Sequence, residues 1–169
     1  MNKTRYLAQA AVIAALYAVL THMQNFLLPG SATWAIQMRI SEAMTVLAFF
    51  TPAAIPGLSL GCLLFNLTYS ATLPLDFVVG TLATLLAAIA RWRPRNVKVG
   101  KLPLPGLLMP ALTNAVLVGW ELTVYIGGGF GINALYVALG ELAVVLVLGS
   151  LLYFAITKRG LDKKLLSAG

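Results

Sequence analysis

The longest apolar stretch of the chain is INALYVALGELAVVLVLGSLLYFAIT, residues 132–157, in which Glu141 is the one charged side chain. An α-helix of about 20 apolar residues crosses the roughly 30 Å hydrocarbon core of a bilayer. This stretch is therefore long enough to span a membrane. With five further stretches upstream, we predict spans at residues 6–28, 34–51, 53–70, 75–91, 104–126 and 132–157.

The composition points to lipid as the solvent. Of the 169 residues, 60% are apolar and 10% are charged, and the mean hydropathy is +0.89. Soluble domains are about a quarter charged, and a small soluble domain leaves much of its surface in water. We predict an all-α membrane protein, with residues 1–169 forming a single compact bundle of six transmembrane helices.

The second and third spans are short and are separated only by Thr51-Pro52, with Pro56 soon after. Because proline donates no helix hydrogen bond, a tight turn is expected here. One kinked, partly re-entrant element is the alternative.

The basic residues predict the orientation. Eleven of the twelve fall in three short stretches that flank apolar runs: Lys3 and Arg5; Arg91, Arg93, Arg95, Lys98 and Lys101; Lys158, Arg159, Lys163 and Lys164. Lys and Arg mark cytoplasmic loops. Four spans before Arg91 and two after Lys101 place the N- and C-termini in the cytoplasm. This distribution fits anionic lipid as a partner and argues against nucleic acid.

Most of the intramembrane polarity is expected in the outer half of the bundle. Ionisable groups at membrane depth usually face a cavity or a partner. The polar candidates for a substrate pocket open to the outside are Arg39, Glu42, Asn66, Tyr69, Asp76, Asn114, Glu121, Asn133 and Glu141. The inner half reads as nearly featureless apolar helix.

Simpler roles remain open for these residues. Arg39 and Glu42, three residues apart, are placed to form an ion pair within one helix. Asp76 suits the first turn of its helix. The asparagines suit hydrogen bonds between helices, and Trp120 suits an interfacial belt of aromatic residues.

Small residues recur every four positions on the first span, at Ala10, Ala14 and Ala18. Such faces allow close helix packing in lipid. The stripe serves either packing within the chain or docking to another membrane subunit.

The sequence offers no catalytic or metal-binding set. Cys62 is the one cysteine and His22 the one histidine, too few for a structural zinc site. We expect no cofactor and no enzymatic activity.

Four stretches carry a family resemblance: TRYLAQAAVIAALYAVLT (4–21), IQMRISEAMTVLAFFTPAAIPGLSLGCLLFN (36–66), LDFVVGTLATLLAA (75–88) and INALYVALGELAVVL (132–146). QMRISEA is the most specific part. The chain resembles the S components of energy-coupling factor (ECF) transporters, in particular the QueT family of queuosine-precursor transporters. The resemblance covers nearly the whole chain.

The resemblance implies a subunit of the prokaryotic cytoplasmic membrane that captures a micronutrient from outside. It implies docking through Ala10, Ala14 and Ala18 to a transmembrane coupling subunit and two cytoplasmic ATPases. This chain has no G-x-x-x-x-G-K-[ST] phosphate loop, so ATP use belongs to a partner.

The implied substrate is queuine or a 7-deazaguanine precursor. Carboxylates accept the paired N–H donors of a guanine-like edge, and Tyr69, Trp120 or Tyr125 are candidates for stacking on the ring. Arg39 and the four intramembrane acids would sum to −3 if all were ionised, which favours a cationic ligand such as 7-aminomethyl-7-deazaguanine. The alternatives are an S component for another vitamin and a solitary proton-coupled carrier that uses Glu141.

Overall fold

A computed structural model describes residues 2–31, 36, 38–69, 73–94 and 96–163, and every regular element within these ranges is a helix. The all-α prediction is confirmed for this part of the chain. In chain order the elements are α1 (Lys3–Leu27), a 3₁₀ helix (Ile40–Phe49), α2 (Ala54–Thr68), α3 (Asp76–Trp92), α4 (Leu104–Leu107), α5 (Met109–Tyr125), α6 (Phe130–Val144), a π-helical segment (Val145–Gly149) and α7 (Ser150–Lys158).

Within the described part of the chain, three helical stretches are long and apolar enough to cross a membrane: Lys3–Leu27, Leu104–Tyr125 and Phe130–Lys158. The 3₁₀ helix and α2 are apolar but shorter. Fifteen residues of α-helix, as in α2, rise only about 22 Å, less than the hydrocarbon thickness. Six complete crossings and two cytoplasmic termini therefore stay predictions.

The 3₁₀ helix is the central element of the fold. Helices α1, α2, α3, α5 and α6 pack side by side in that order, and the 3₁₀ helix contacts α1, α2, α3, α6, the π-helical segment and α7. Eight of its ten residues are buried, including Glu42. A helix covered on all sides belongs to the interior of a bundle, so its polar residues lie among the other helices.

Glycines set the closest helix contacts. A Cβ atom on Gly57 would lie 2.8 Å from the carbonyl oxygen of Ala10, and one on Gly61 would lie 2.8 Å from that of Ala14. These approaches are shorter than side-chain carbons tolerate, so only glycine allows α2 to pack this closely on α1. Gly119 of α5 has the same relation to the backbone of Ala134 in α6.

The turn between the second and third predicted spans is tight, as expected. The 3₁₀ helix ends at Phe49, and the carbonyl of Thr51 accepts a hydrogen bond of 3.2 Å from the N–H of Ala54, where α2 begins. The Thr51 hydroxyl donates to Gln9 Oε1 on α1 at 2.9 Å, which fixes the turn. The predicted start of the second span at residue 34 lies outside the described residues.

Candidate functional site

Arg39 and Asp76 form a buried ion pair where the 3₁₀ helix meets α3. Arg39 precedes the first residue of the 3₁₀ helix, Asp76 is the first residue of α3, and each is 3% exposed. Their Nη2 and Oδ2 atoms are 3.4 Å apart. The guanidinium also lies 5.9 Å from the centre of the Phe65 ring. The predicted position of Asp76 in the first turn of its helix is confirmed. The ion pair of Arg39 joins the start of the 3₁₀ helix to α3 and does not lie within one helix.

Gln24 of α1 holds the backbone on both sides of Arg39. Its Nε2 donates to the carbonyl of Met38 at 2.5 Å, and its Oε1 accepts from the N–H of Ile40 at 2.7 Å. Nε2 also donates to Ser31 Oγ at 2.9 Å. The side-chain amide of Gln24 thus pairs with a backbone carbonyl and a backbone N–H on either side of Arg39.

Asn66 joins α2 to the first turn of α3. Its Nδ2 donates to the backbone carbonyl of Asp76 at 2.8 Å and lies 3.5 Å from Cys62 Sγ. The missing side chain of Gly80 makes room for this arrangement. A Cβ there would lie 2.9 Å from Asn66 Nδ2, 3.0 Å from Asp76 Oδ1 and 3.7 Å from Arg39 Nη1.

Glu42 occupies the next layer, between α1 and α3. Its Oε1 accepts a hydrogen bond of 2.5 Å from the Tyr17 hydroxyl and a longer one of 3.4 Å from Thr84 Oγ1. Tyr17 is fully buried and Glu42 is 1% exposed. The possible ion pair between Arg39 and Glu42 is replaced by Arg39–Asp76, because Glu42 turns toward hydroxyl groups on its other neighbours.

Glu121 and Glu141 bring the last two acids into the interior from α5 and α6. Glu121 interacts electrostatically with Asp76 and Arg39, and Glu141 with Glu42 and both buried arginines. Asn114, 5% exposed, lies within hydrogen-bonding reach of Glu141. All four acids thus contribute to one connected polar region, which we call the acid cluster: Glu42, Asp76, Glu121 and Glu141.

The acid cluster is rich in acceptors that lack donors. Five of its buried carboxylate oxygens have no hydrogen-bond partner among the described residues: Glu42 Oε2, Asp76 Oδ1, Glu121 Oε1, Glu121 Oε2 and Glu141 Oε2. An unsatisfied buried charge is expensive, and such groups in native proteins usually have a ligand, an ion or water as partner. The arrangement is suited to a compact ligand that carries several N–H donors.

Arg91 corrects the predicted charge distribution. The sequence assigns it to a cytoplasmic basic stretch and predicts an apolar inner half, yet Arg91 is 0% exposed in the last turn of α3. Its guanidinium donates to Thr45 Oγ1 at 2.6 Å, to the carbonyl of Gly106 at 2.9 Å and to that of Leu107 at 3.0 Å. Among the described residues, Arg91 is therefore a second buried cation besides Arg39, at the opposite end of α3 from Asp76. With all groups ionised, four carboxylates and two guanidinium groups give −2 rather than −3.

Other predicted residues lie at the margin of this region. Tyr69 follows α2 and stacks on Phe65, with ring centres 5.2 Å apart. Asn133 Nδ2 donates to Thr123 Oγ1 and to the Gly127 carbonyl, both at 3.0 Å, which ties the start of α6 to the end of α5. For Asn133 this is the helix-bridging role.

Trp120 lies on a surface stripe. It is 50% exposed and shares one face of α5 with Leu112, Val116 and Val124, which are 57–58% exposed. Positions four apart share one face of a helix. This face meets lipid in a membrane protein, so Trp120 points away from the acid cluster, and Tyr125 is also exposed at 41%.

Part of the alanine stripe packs against α2. Ala10 and Ala14 are 6% and 5% exposed because α2 covers them through Gly57 and Gly61. Two of the three predicted docking residues are thus used for packing within the chain, and Ala18 is half-buried.

Sequence reasoning missed three polar residues of α1, namely Tyr17, Thr21 and Gln24. Thr21 Oγ1 and Ser41 Oγ are 2.7 Å apart, which links α1 to the 3₁₀ helix beside Arg39. These residues continue the buried face of Ala10 and Ala14 at helical spacing. The signal in the sequence is their helical spacing from Ala10 and Ala14, which places these three polar residues on the same buried face of α1.

Comparison with known proteins identifies the family of the chain. A sequence model described as QueT transporter matches residues 7–158. The chain is 33% identical over 85 residues to a protein of Lactococcus lactis subsp. cremoris (strain MG1363) named queuosine precursor transporter QueT. That match covers 50% of this chain and 48% of the relative, so the chain spans about half the length of the curated relative it matches. No solved structure matches the chain.

The family match extends over nearly all of the helical bundle and includes every residue of the acid cluster. The chain belongs to the QueT transporter family, a family of transporters rather than enzymes.

Proposed function

We propose that this chain is the substrate-binding S subunit of an ECF importer and that the acid cluster binds a cationic queuosine precursor, with 7-aminomethyl-7-deazaguanine favoured. The observation that carries the proposal is the set of five buried carboxylate oxygens without donors, supplied by all four helices that hold the cluster. The name of the Lactococcus relative, queuosine precursor transporter, supports a queuosine precursor as cargo.

The ligand's chemistry complements the site. A 7-deazaguanine presents an amino group and a ring N–H on one edge, and a carboxylate accepts both in a bidentate fashion. An aminomethyl group adds an ammonium with three further donors. Its positive charge offsets half of the formal −2 of the buried groups, whereas a neutral nitrile offsets none.

The side chains that remain candidates for ligand contact are those that face the interior: Arg39, Glu42, Asn66, Asp76, Asn114, Glu121 and Glu141. Tyr69 is a candidate for stacking because it adjoins Phe65, next to Arg39. Trp120 and Asn133 are expected to contribute little to affinity.

The proposed partners are a transmembrane coupling subunit and two cytoplasmic ATPases. The chain carries no phosphate loop of its own. Docking on α1 is proposed to use Ala18 with the exposed Ala11 and Ala15, since α2 covers Ala10 and Ala14. The proposed setting is the prokaryotic cell membrane, with six spans and both termini in the cytoplasm.

Equilibrium binding to the purified chain in nanodiscs tests the proposed cargo. We expect saturable binding of the amine precursor, lost or weakened at least tenfold in Glu42→Gln and Asp76→Asn, because a hydrogen bond to a charged group contributes about 1.5–3 kcal/mol. Trp120→Phe is the matched control on the lipid-facing stripe and should bind as the wild type does. Binding of thiamine or riboflavin alone would reject the proposed substrate and leave the transporter role.

A further inference from the structure

Arg91 connects three parts of the structure at the end opposite to Asp76. The buried face of α3 begins at Asp76, continues through Gly80, Thr84 and Ala87, and ends at Arg91. Fifteen residues of α-helix separate its ends by about 22 Å. One face of α3 thus carries a site carboxylate at one end and a buried guanidinium at the other.

The hydrogen bonds of Arg91 lead directly to the backbone of Glu42. Arg91 Nη1 donates to Thr45 Oγ1 at 2.6 Å, and the Thr45 hydroxyl donates to the carbonyl of Glu42 at 2.5 Å. Arg91 also interacts electrostatically with Glu42 and Glu141. A guanidinium has five donors in a fixed planar arrangement, so it holds several acceptors in a defined geometry that a lysine cannot reproduce.

The same guanidinium also donates hydrogen bonds to α4, the single helical turn Leu104–Leu107 that precedes α5. Nε and Nη2 donate to the carbonyls of Gly106 and Leu107, and the guanidinium carbon lies 5.1 Å from the centre of the Phe49 ring. Gly106 has no room for a side chain, because its Cβ would lie 2.4 Å from Phe49 Cε1. The helical turn Leu104–Leu107 therefore packs against both Arg91 and the last residue of the 3₁₀ helix.

We propose that Arg91 is a positioning residue of the binding site, which transmits the position of the turn Leu104–Leu107 to Glu42 through Thr45. Binding affinity then depends on a turn outside the acid cluster, and displacement of that turn loosens the hold on Glu42. The inference rests on the proposed function, because it assigns Glu42 to ligand binding.

The test separates charge, hydrogen bonding and simple stability. Thr45→Val removes the hydroxyl at nearly constant volume, and Arg91→Lys keeps the charge but loses the planar set of donors. In both we expect about tenfold weaker binding of 7-aminomethyl-7-deazaguanine by the folded, monodisperse protein, as for one lost hydrogen bond to a charged group. Thr45→Ser keeps the hydroxyl group and should bind the ligand with the affinity of the wild type. If both variants bind as tightly as the wild type while Glu42→Gln loses binding, the inference fails and the proposed function stands.

If no deazaguanine binds, the proposed function itself has failed. The coupling between the turn Leu104–Leu107 and the 3₁₀ helix can then still be tested by a measurement without ligand. Gly106→Ala changes no charge and no site residue. We expect it to increase hydrogen exchange of the backbone amides of residues 40–49. Gly131→Ala, where no neighbouring atom of the described residues lies within 4 Å of the added carbon, should leave that exchange unchanged. Unchanged exchange at residues 40–49 in Gly106→Ala would overturn the coupling.

Discussion

Gly80→Ala changes the binding site by a single methyl group without altering its charge. The added Cβ would lie 2.9 Å from Asn66 Nδ2 and 3.0 Å from Asp76 Oδ1. Ordinary van der Waals contacts of a Cβ atom lie at 3.4–4 Å, so both polar tips have to move. The hydrogen bond of 2.8 Å from Asn66 to the Asp76 carbonyl, which joins α2 to α3, is strained as a result.

The size of the effect follows from this overlap. Extra carbon in a well-packed interior costs about 1–3 kcal/mol, and functional groups need to stay within about 0.5 Å of their productive positions. If that energy falls on the bound state, ligand binding weakens roughly five- to 140-fold. Alanine in place of glycine favours the helix by about 1 kcal/mol, which offsets part of the overlap, so we expect the stability to fall by no more than about 2 kcal/mol.

Isothermal titration with the amine precursor and a parallel thermal unfolding scan measure both quantities. Gly131→Ala is the matched control, because open space surrounds its Cβ position, and it should bind as the wild type does. Gly80→Ala with wild-type affinity would refute the assignment of Asn66 and Asp76 to the ligand site.

Three further predictions concern other parts of the structure. Tyr17→Phe removes the donor of the 2.5 Å hydrogen bond to Glu42 and should weaken ligand binding about tenfold in a titration. An unchanged affinity would show that Glu42 does not take part in ligand binding. Glu121→Gln removes one negative charge from the cluster and should narrow the preference for amine over nitrile precursor in competition binding; an unaltered ratio would contradict the charge reasoning. Gly119→Ala inserts a carbon 2.8 Å from the Ala134 Cα and should lower stability by about 1–3 kcal/mol in a thermal or denaturant scan, and a wild-type midpoint would show that α5 and α6 separate easily.

The sequence predicts the interior of the site better than its edges. Apolar stretches of helical length make the occasional ionisable residue conspicuous, and membrane depth requires such a residue to face inward. This reasoning correctly identifies the buried polar residues Arg39, Glu42, Asn66, Asp76, Asn114, Glu121 and Glu141. Trp120 illustrates the limit, because an aromatic side chain is equally compatible with a pocket and with lipid.

Arg91 shows why part of the site is invisible to sequence patterns. It begins a basic stretch at a helix end, which is the pattern of a cytoplasmic loop. What buries it is the position of two carbonyls in the turn Leu104–Leu107 and of a threonine on the 3₁₀ helix. These partners are 15, 16 and 46 residues away in the chain, so their proximity follows only from the fold.

The alanine stripe shows a similar limit. A repeat of small residues predicts that something approaches closely but does not identify the partner. Here the partner of Ala10 and Ala14 is α2, which supplies Gly57 and Gly61 at the same spacing. Matching small residues on two helices of one chain favours packing within that chain over docking to another.

The most direct test of the central claim is the charge selectivity of the purified wild-type chain. Its affinity for 7-aminomethyl-7-deazaguanine should be compared with that for the neutral nitrile analogue and for guanine in one competition assay. If the acid cluster binds a cationic ligand with several N–H donors, the amine binds at least tenfold more tightly than the nitrile, and guanine binds weakly. Equal affinity for the amine and the nitrile would contradict the claim that the acid cluster selects its cargo by charge.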